Sequence, residues 1–188
     1  GSRFPEALNN LDCFLDCLKD FKSAQDLLVI LPLSLNSNEM KIESYLTKYG
    51  FLKQSGANFM IEEDSVWKNK EQYILIGKGK FNLWANMANV ALSNAGTATE
   101  QLAGLGIPSL SIPGSGPQFT KAFAKRQSRL LGGCVLVCRN KKILLSRLTL
   151  LLKEKICRLE QAKIGKKRMG KAGASKKIVD SISFSLLS

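Results

Sequence analysis

Residues Ala95–Gln118 have the sequence AGTATEQLAGLGIPSLSIPGSGPQ, which alternates turns with a helix and a strand. A turn at Gly96 leads into a short helix over Thr97–Leu105, an apolar strand follows over Ser109–Ile112, and a second Gly/Pro-rich loop comes next. The start of such a helix offers unbonded N–H groups to an anion. Because the second loop leaves a neighbouring strand, we expect both loops at one sheet edge, which is the geometry of a nucleotide-diphosphate site.

The same alternation extends over the rest of the chain and predicts the fold class. Several strands are apolar on both faces, which is typical of a parallel sheet with helices on both faces, so we predict an α/β, Rossmann-like fold. Further strands are predicted at Asp26–Leu33, Phe59–Glu62, Tyr73–Ile76, Asn89–Ser93 and Cys134–Cys138. Further helices are predicted from Pro5 to Phe21 and at Glu39–Tyr49, Phe81–Ala88, Phe119–Leu131, Ile143–Gln161 and Ser175–Leu187. A charged turn is predicted before Tyr73, and Ala162–Ser175 is predicted to be a loose segment.

Length and composition describe one globular domain over residues 1–188. The 188 residues are 45% hydrophobic, enough for a core on both sides of a sheet. The sequence contains neither an apolar run of membrane-spanning length nor a signal peptide. We therefore expect a cytoplasmic protein.

Charge is distributed very unevenly. Residues 1–120 carry a net charge of −2, whereas residues 121–188 carry +15. This basic third of the chain predicts a contact with phosphate groups, an anionic membrane surface or nucleic acid. No aromatic residue lies between Phe123 and Phe184, so the bases of a nucleic acid would find no stacking partner, and specific nucleic-acid binding is not expected.

The cysteines and acidic residues give no sign of a metal site or of a catalytic group. Cys13 and Cys17, and likewise Cys134 and Cys138, are four residues apart, and the chain has no histidine. A four-thiolate zinc site is conceivable, but buried free thiols are the better interpretation of this spacing. Without histidine, and with scattered carboxylates, we find no general base or nucleophile and predict no metal and no cofactor.

Two loops carry the candidate binding residues, each with a structural alternative. After Gly96, the hydroxyls of Thr97 and Thr99 are placed to meet a phosphate, and Glu100 to accept hydrogen bonds from a ribose; Thr97 and Glu100 also fit a capping box. In the second loop, Gly116 frees the backbone and Gln118 suits sugar hydroxyls, although an ordinary turn has the same composition. The loop from Gly77 to Phe81 lacks the spacing of a P-loop and is interpreted as a flexible connection, with base stacking on Phe81 as the alternative.

An ordered set of short motifs resembles the C-terminal half of the GT-B glycosyltransferases, and more closely the lipid-A-disaccharide synthase-related family. The set spans nearly the whole chain in the expected order. It comprises Gly1-Ser2-Arg3 with Pro5-Glu6-Ala7, Ala95–Gln101, Gly106-Ile107-Pro108, Pro113–Thr120, and Arg168-Met169-Gly170 through Gly173-Ala174-Ser175.

This resemblance implies a donor domain that binds a UDP-sugar, UDP-2,3-diacylglucosamine or a related UDP-N-acetylglucosamine derivative. The sugar would pass, with inversion and release of UDP, to an acceptor lipid held by an N-terminal domain that this chain lacks, together with the catalytic base. The chain alone should therefore bind the donor without turnover, at the inner face of a membrane. By position, Ser2 and Arg3 would meet the diphosphate, Thr97 and Thr99 the phosphates, Glu100 or Gln101 the ribose, and Gln118 the sugar or a phosphate.

Two other functions fit parts of the sequence. A UDP-sugar epimerase domain shares the architecture, but it would need a histidine and carboxylates in its cleft. A non-enzymatic basic module would bind membrane or nucleic acid through residues 121–177.

Overall fold

The computed structural model describes residues 5–23, 25–55, 64–114 and 119–187, and these form an α/β fold. The strands are β1 Leu27–Leu33, β2 Leu52–Lys53, β3 Ser65–Asn69, β4 Gln72–Lys78, β5 Ala91–Leu92, β6 Ser109–Ser111 and β7 Val135–Val137. The helices are α1 Glu6–Lys19, α2 Glu39–Lys48, α3 Phe81–Ala85, α4 Thr97–Leu105, α5 Lys121–Leu130, α6 Lys141–Lys153, α7 Lys155–Met169 and α8 Ala174–Leu187. The predicted α/β class is confirmed, and the strand predicted at Phe59–Glu62 lies outside the described residues.

The strands pair in two groups. Strands β5, β6 and β7 form a parallel sheet, as predicted, and the structure places β6 between β5 and β7. Strands β1 and β4 are also parallel, but β3 runs antiparallel to both β4 and β2. The charged turn predicted before Tyr73 is therefore wrong over Ser65–Asn69, where β3 buries Val66 and Trp67. The turn to β4 is made at Lys70, whose φ of 52° lies in the left-handed region.

Helices cover both faces of the parallel sheet. On one face, Leu18 of α1 and Leu144 of α6 pack in the same core cluster as Leu110 of β6. On the other face, Ala103 of α4 packs with Val135 of β7. Successive residues of a strand point to opposite faces, so β7, with the sequence VLV, is apolar on both faces, whereas β6 places Leu110 on one face and the small, buried Ser109 and Ser111 on the other.

The helix predicted at Ile143–Gln161 is two helices, and this prediction is wrong at Glu154. There α6 ends and α7 begins, with Glu154 in an extended conformation. Arg158 explains the break, because its Nη1 donates to the carbonyls of Leu151 and Leu152 at 2.7 Å and so satisfies the end of α6. Helix α7 then continues to Met169 through most of the segment predicted to be loose.

A polar cluster joins α1 to α2. Lys48 Nζ donates to Asp12 Oδ1 at 2.8 Å, and the Tyr49 hydroxyl donates to the same oxygen at 3.0 Å. The hydrogen bond from Lys48 holds the pKa of Asp12 below its usual value. Burial, followed by the hydrogen bond to the Asp12 carboxylate, raises the pKa of Tyr49 to about 12.

This cluster predicts a loss of stability at both ends of the pH range. A carboxyl with a lowered pKa stabilises the fold above its unfolded pKa and loses that contribution as the pH falls through its folded pKa. A phenol with a raised pKa stabilises the fold below its ordinary value of 10.0 and loses that contribution as the pH rises through about 12. In the alkaline range, the free energy of unfolding of the native chain should therefore fall towards that of Tyr49→Phe as the pH rises from 10.0 to about 12. A constant difference between the two proteins would contradict the Tyr49–Asp12 contact.

Candidate functional site

The two predicted loops leave the carboxyl ends of β5 and β6, which are neighbours in the parallel sheet. The first loop runs from Ser93 to Gly96 and enters α4, and the second follows Ser111 and leads to α5. Crevices at the carboxyl ends of parallel strands are where α/β folds bind ligands. Of the predicted site residues, Ser2, Arg3, Gly116 and Gln118 lie outside the described residues.

Asn94 connects the two loops and α1. Its side-chain oxygen accepts from the Ile112 N–H and from the Ser111 hydroxyl, both at 3.1 Å. Its amide nitrogen donates to the Ile112 carbonyl at 2.8 Å and to Asn10 Oδ1 at 3.1 Å. Asn94 is only 6% exposed, so it fixes the spacing between the ends of β5 and β6 from inside the protein.

The predicted turn forms at the start of α4, with Gly96 in the N-cap position. The N–H groups of Thr99 and Glu100 bond to the Gly96 carbonyl. Those of Thr97 and Ala98 have no hydrogen-bond partner among the described residues. Thr97 is the first helical residue and no side chain caps the helix, so the capping box considered for Thr97 and Glu100 is not formed.

Thr99 points inward and supports the turn. Its hydroxyl donates to the Ala95 carbonyl at 2.6 Å and lies 2.7 Å from the Ser93 hydroxyl. The side chain is fully buried. Thr97 and Glu100, in contrast, are exposed on the first turn of α4.

Gln127 of α5, which is not among the residues predicted for the site, also supports this turn. Its Nε2 donates to the carbonyls of Ala95 and Gly96 at 3.1 and 3.2 Å. Gln127 is 4% exposed, and its Oε1 has no partner in the described part of the chain. Because the turn's carbonyls are bonded to Gln127, an anion at the start of α4 would meet N–H groups without carbonyl repulsion.

Gln101 directly follows Glu100 on α4 and is exposed. It lines an open groove of about 320 Å³ together with Phe81, Asn82, Gly104 and Leu105. Gln101 and Glu100 are both exposed, so either side chain is free to face a ligand. Phe81, the residue considered for base stacking, lines the same groove as Gln101.

The start of α1 also borders the site. Glu6 Oε1 accepts from the Phe119 N–H at 2.8 Å, and Asn10 Nδ2 donates to the Asn94 carbonyl at 3.4 Å. In sequence, Ser2 and Arg3 precede α1 by four and three residues, and Gln118 directly precedes Phe119. The two bonds join the first turns of α1 to Phe119 and to Asn94.

Lys80 is not available to bind a phosphate. Its Nζ lies 2.7 Å from Asp64 Oδ1, and both side chains are largely buried. The Trp84 ring packs beside this pair and also leaves no room for a side chain at Gly77. The loop after β4, predicted to be a flexible connection, is therefore held by an ion pair.

The chain matches no model of a known protein family, and the search of curated proteins found no relative. The family resemblance thus rests on the motifs themselves. None of the described helices is long and apolar enough to cross a bilayer.

All five cysteines are free thiols, and Cys17 and Cys138 share a core cluster that does not include Cys134. The interaction of the two neighbouring thiols lowers the pKa of Cys13 and raises that of Cys17. Burial raises the pKa of Cys134 and Cys138. Within the described residues, no three metal-ligating side chains form a group that would hold an ion.

Proposed function

We propose that this chain is the UDP-sugar-binding donor domain of a glycosyltransferase that transfers an N-acetylglucosamine-type sugar to a lipid acceptor, similar to the lipid-A-disaccharide synthase-related family. The observation that carries the proposal is the turn from Ser93 to Gly96. It presents unbonded N–H groups of Thr97 and Ala98 at the carboxyl edge of a parallel sheet, while Gln127 binds the adjacent carbonyls.

In this proposal the start of α4 binds the diphosphate. The N–H groups of Thr97 and Ala98 and the Thr97 hydroxyl donate to phosphate oxygens, while Thr99 holds the turn from inside. When the sugar leaves, negative charge develops on UDP, and a helix start stabilises such charge. Arg3 with Ser2, on the segment before α1, completes the diphosphate contacts.

The nucleoside is placed along α4. Glu100, exposed one turn into the helix, accepts hydrogen bonds from the ribose hydroxyls. Gln118 and the backbone at Gly116 contact the sugar or a phosphate. Gln101 is the competing ribose contact, and the groove that it shares with Phe81 offers an aromatic surface to the base.

The acceptor lipid and the catalytic base belong to a domain outside this chain in the proposal. The whole enzyme works in the cytoplasm at the inner face of a membrane. The chain alone binds the donor without turnover, and transferase activity of the chain alone would contradict this division of labour.

Calorimetric titration tests the nucleotide site. UDP should bind saturably and more tightly than uridine, because uridine lacks the phosphates that the α4 start would hold. Glu100→Ala should weaken UDP binding by about 10- to 100-fold, the effect of losing hydrogen bonds to a charged group. The matched control is Gln101→Ala, an equally exposed neighbour whose loss should change the affinity by less than about threefold.

The outcomes separate the competing functions. A larger effect of Gln101→Ala than of Glu100→Ala would assign the ribose to Gln101. Equal affinities for UDP and uridine would contradict the role of the α4 start. Absence of binding at millimolar UDP by folded protein, together with nucleic-acid binding that collapses with salt, would favour the basic module.

A further inference from the structure

Helix α8 carries apolar side chains that nothing in the described structure covers. Every described residue from Ala174 to Ser185 is exposed, and Ile178, Val179, Ile182 and Phe184 are between 54% and 77% exposed. Ile178, Val179 and Ile182 are spaced by one, three and four residues, so they share one face of the helix. Asp180, Ser181 and Ser183 lie off this face, so the stretch Ile178–Ser183 is amphipathic, and Phe184 is not part of the face.

Positive charge is concentrated directly before this apolar face. Residues 163–177 contain no aspartate or glutamate, and all their cationic residues are exposed. Of these, Arg168 donates to the Leu130 carbonyl, and Lys176 pairs with Asp180 at 2.9 Å. The cations are Lys163, Lys166, Lys167, Arg168, Lys171, Lys176 and Lys177.

We propose that residues 163–187 dock on an anionic phospholipid bilayer. Helix α8 lies in the plane of the interface, with Ile178, Val179 and Ile182 among the acyl chains and the lysines at the headgroup phosphates. A bilayer interface presents a layer of negative charge directly above an apolar layer, and the segment presents the complementary pair. This inference names the surface for the membrane association in the proposed function, and it does not depend on the nucleotide site.

The positive charge of residues 163–177 determines which partner we propose for α8. An apolar face alone would fit another protein equally well, but seven cations without one carboxylate in 163–177 favour a surface of continuous negative charge. The serines leave the polar side of α8 uncharged beyond Asp180, so nothing on this helix repels anionic headgroups except that residue, which is paired with Lys176.

Co-sedimentation of the whole chain with vesicles tests the proposal. Binding to phosphatidylcholine vesicles containing phosphatidylglycerol should be at least about tenfold tighter than to pure phosphatidylcholine, and it should weaken with salt. The double substitution Ile178→Asp with Ile182→Asp should reduce binding by about tenfold or more. Ser181→Asp is the matched control, because it adds a carboxylate to the same helix away from the apolar face, and it should retain most of the binding.

Three outcomes would overturn the inference. They are equal binding to both kinds of vesicle, no effect of the Ile178 and Ile182 substitutions, and no vesicle binding by a chain that instead dimerises through α8. Because the described α8 side chains from Ala174 to Ser185 are all exposed, circular dichroism should show all variants folded. The vesicle experiment contains no nucleotide and the calorimetric titration contains no lipid, so failure of one leaves the other intact.

Discussion

Replacing Gly165 with alanine should destabilise the fold by about 2–3 kcal/mol, the upper part of the range for overpacking a close contact. Gly165 lies on α7 where this helix crosses α4, and it is buried. A Cβ at this position would lie 2.5 Å from the carbonyl oxygen of Ala103, a backbone atom that no rotamer change can move. The two helices must therefore separate to accommodate a single methyl group.

Gly104 provides a matched control from the other side of the same contact. It lies on α4 beside Ala103, and a Cβ there would meet Met169 at 3.5 Å, an ordinary packing distance. Since alanine favours helix more than glycine does, Gly104→Ala should be neutral or stabilise by up to about 1 kcal/mol. Urea denaturation of both variants measures the free energies, and equal values would contradict the close crossing of α4 and α7.

The effect should extend to the proposed nucleotide site. Helix α4 begins at the turn that we propose binds the diphosphate, and α7 packs along it. A shift of α4 away from α7 would move the N–H groups of Thr97 and Ala98 relative to Asn94. We therefore expect folded Gly165→Ala to bind UDP more weakly than Gly104→Ala does.

Local sequence patterns predicted the parts of the fold that are set locally. Helix α4 was predicted over Thr97–Leu105 and has those bounds, because Gly96 precedes it and Gly106, with a φ of 80°, ends it. Strand β3 was missed because Lys68 and Asn69 make the segment polar, and its pairing with β2 and β4 makes it a strand.

The break between α6 and α7 was missed for a similar reason. The residues around Glu154 continue the apolar spacing of one helix. What ends α6 there is the Arg158 side chain, which reaches back to its last carbonyls. Such a contact depends on the folded path of α7 and leaves no periodic signal.

In the candidate site, too, the locally determined residues were predicted and those held by distant contacts were not. The sequence placed Gly96, Thr97 and Glu100 at a helix start, and they lie there. It missed Asn94 and Gln127, because their hydrogen bonds join segments that are distant in sequence. A signal was present for Gln127, which stands between Ala124 and Leu131 on the buried face of α5, where an apolar residue is expected.

Replacing Asn94 with alanine should cost about 3 kcal/mol. The substitution leaves the N–H and the carbonyl of Ile112 without their hydrogen-bond partners, and it removes the acceptor of the Ser111 hydroxyl. Each buried polar group left without a partner costs about 1–3 kcal/mol, and water reaching the cavity would recover part of that sum. Asn10→Ala serves as the control, since it removes only the contacts that α1 makes with Asn94 and should cost about 1 kcal/mol or less.

A second substitution tests the direction of these bonds. Asn94→Asp keeps the oxygen that accepts from Ile112 and Ser111 but replaces the amide donor with a second oxygen, which would face the Ile112 carbonyl. An ionised carboxylate is repelled there, so the folded pKa of the new carboxyl should rise above its unfolded value of about 3.9. A raised pKa stabilises the fold below the unfolded pKa and loses that contribution as the pH rises through the folded pKa.

The stability of Asn94→Asp relative to the native chain should therefore improve as the pH falls from neutral towards about 4, because the protonated carboxyl regains a donor for the Ile112 carbonyl. Denaturation curves of both proteins across this range measure the difference. A penalty independent of pH would mean that the Asn94 amide does not donate to Ile112 and that the ends of β5 and β6 are held apart by packing alone. Recovery at low pH would identify this amide as the group that sets the distance between the two loops of the proposed donor site.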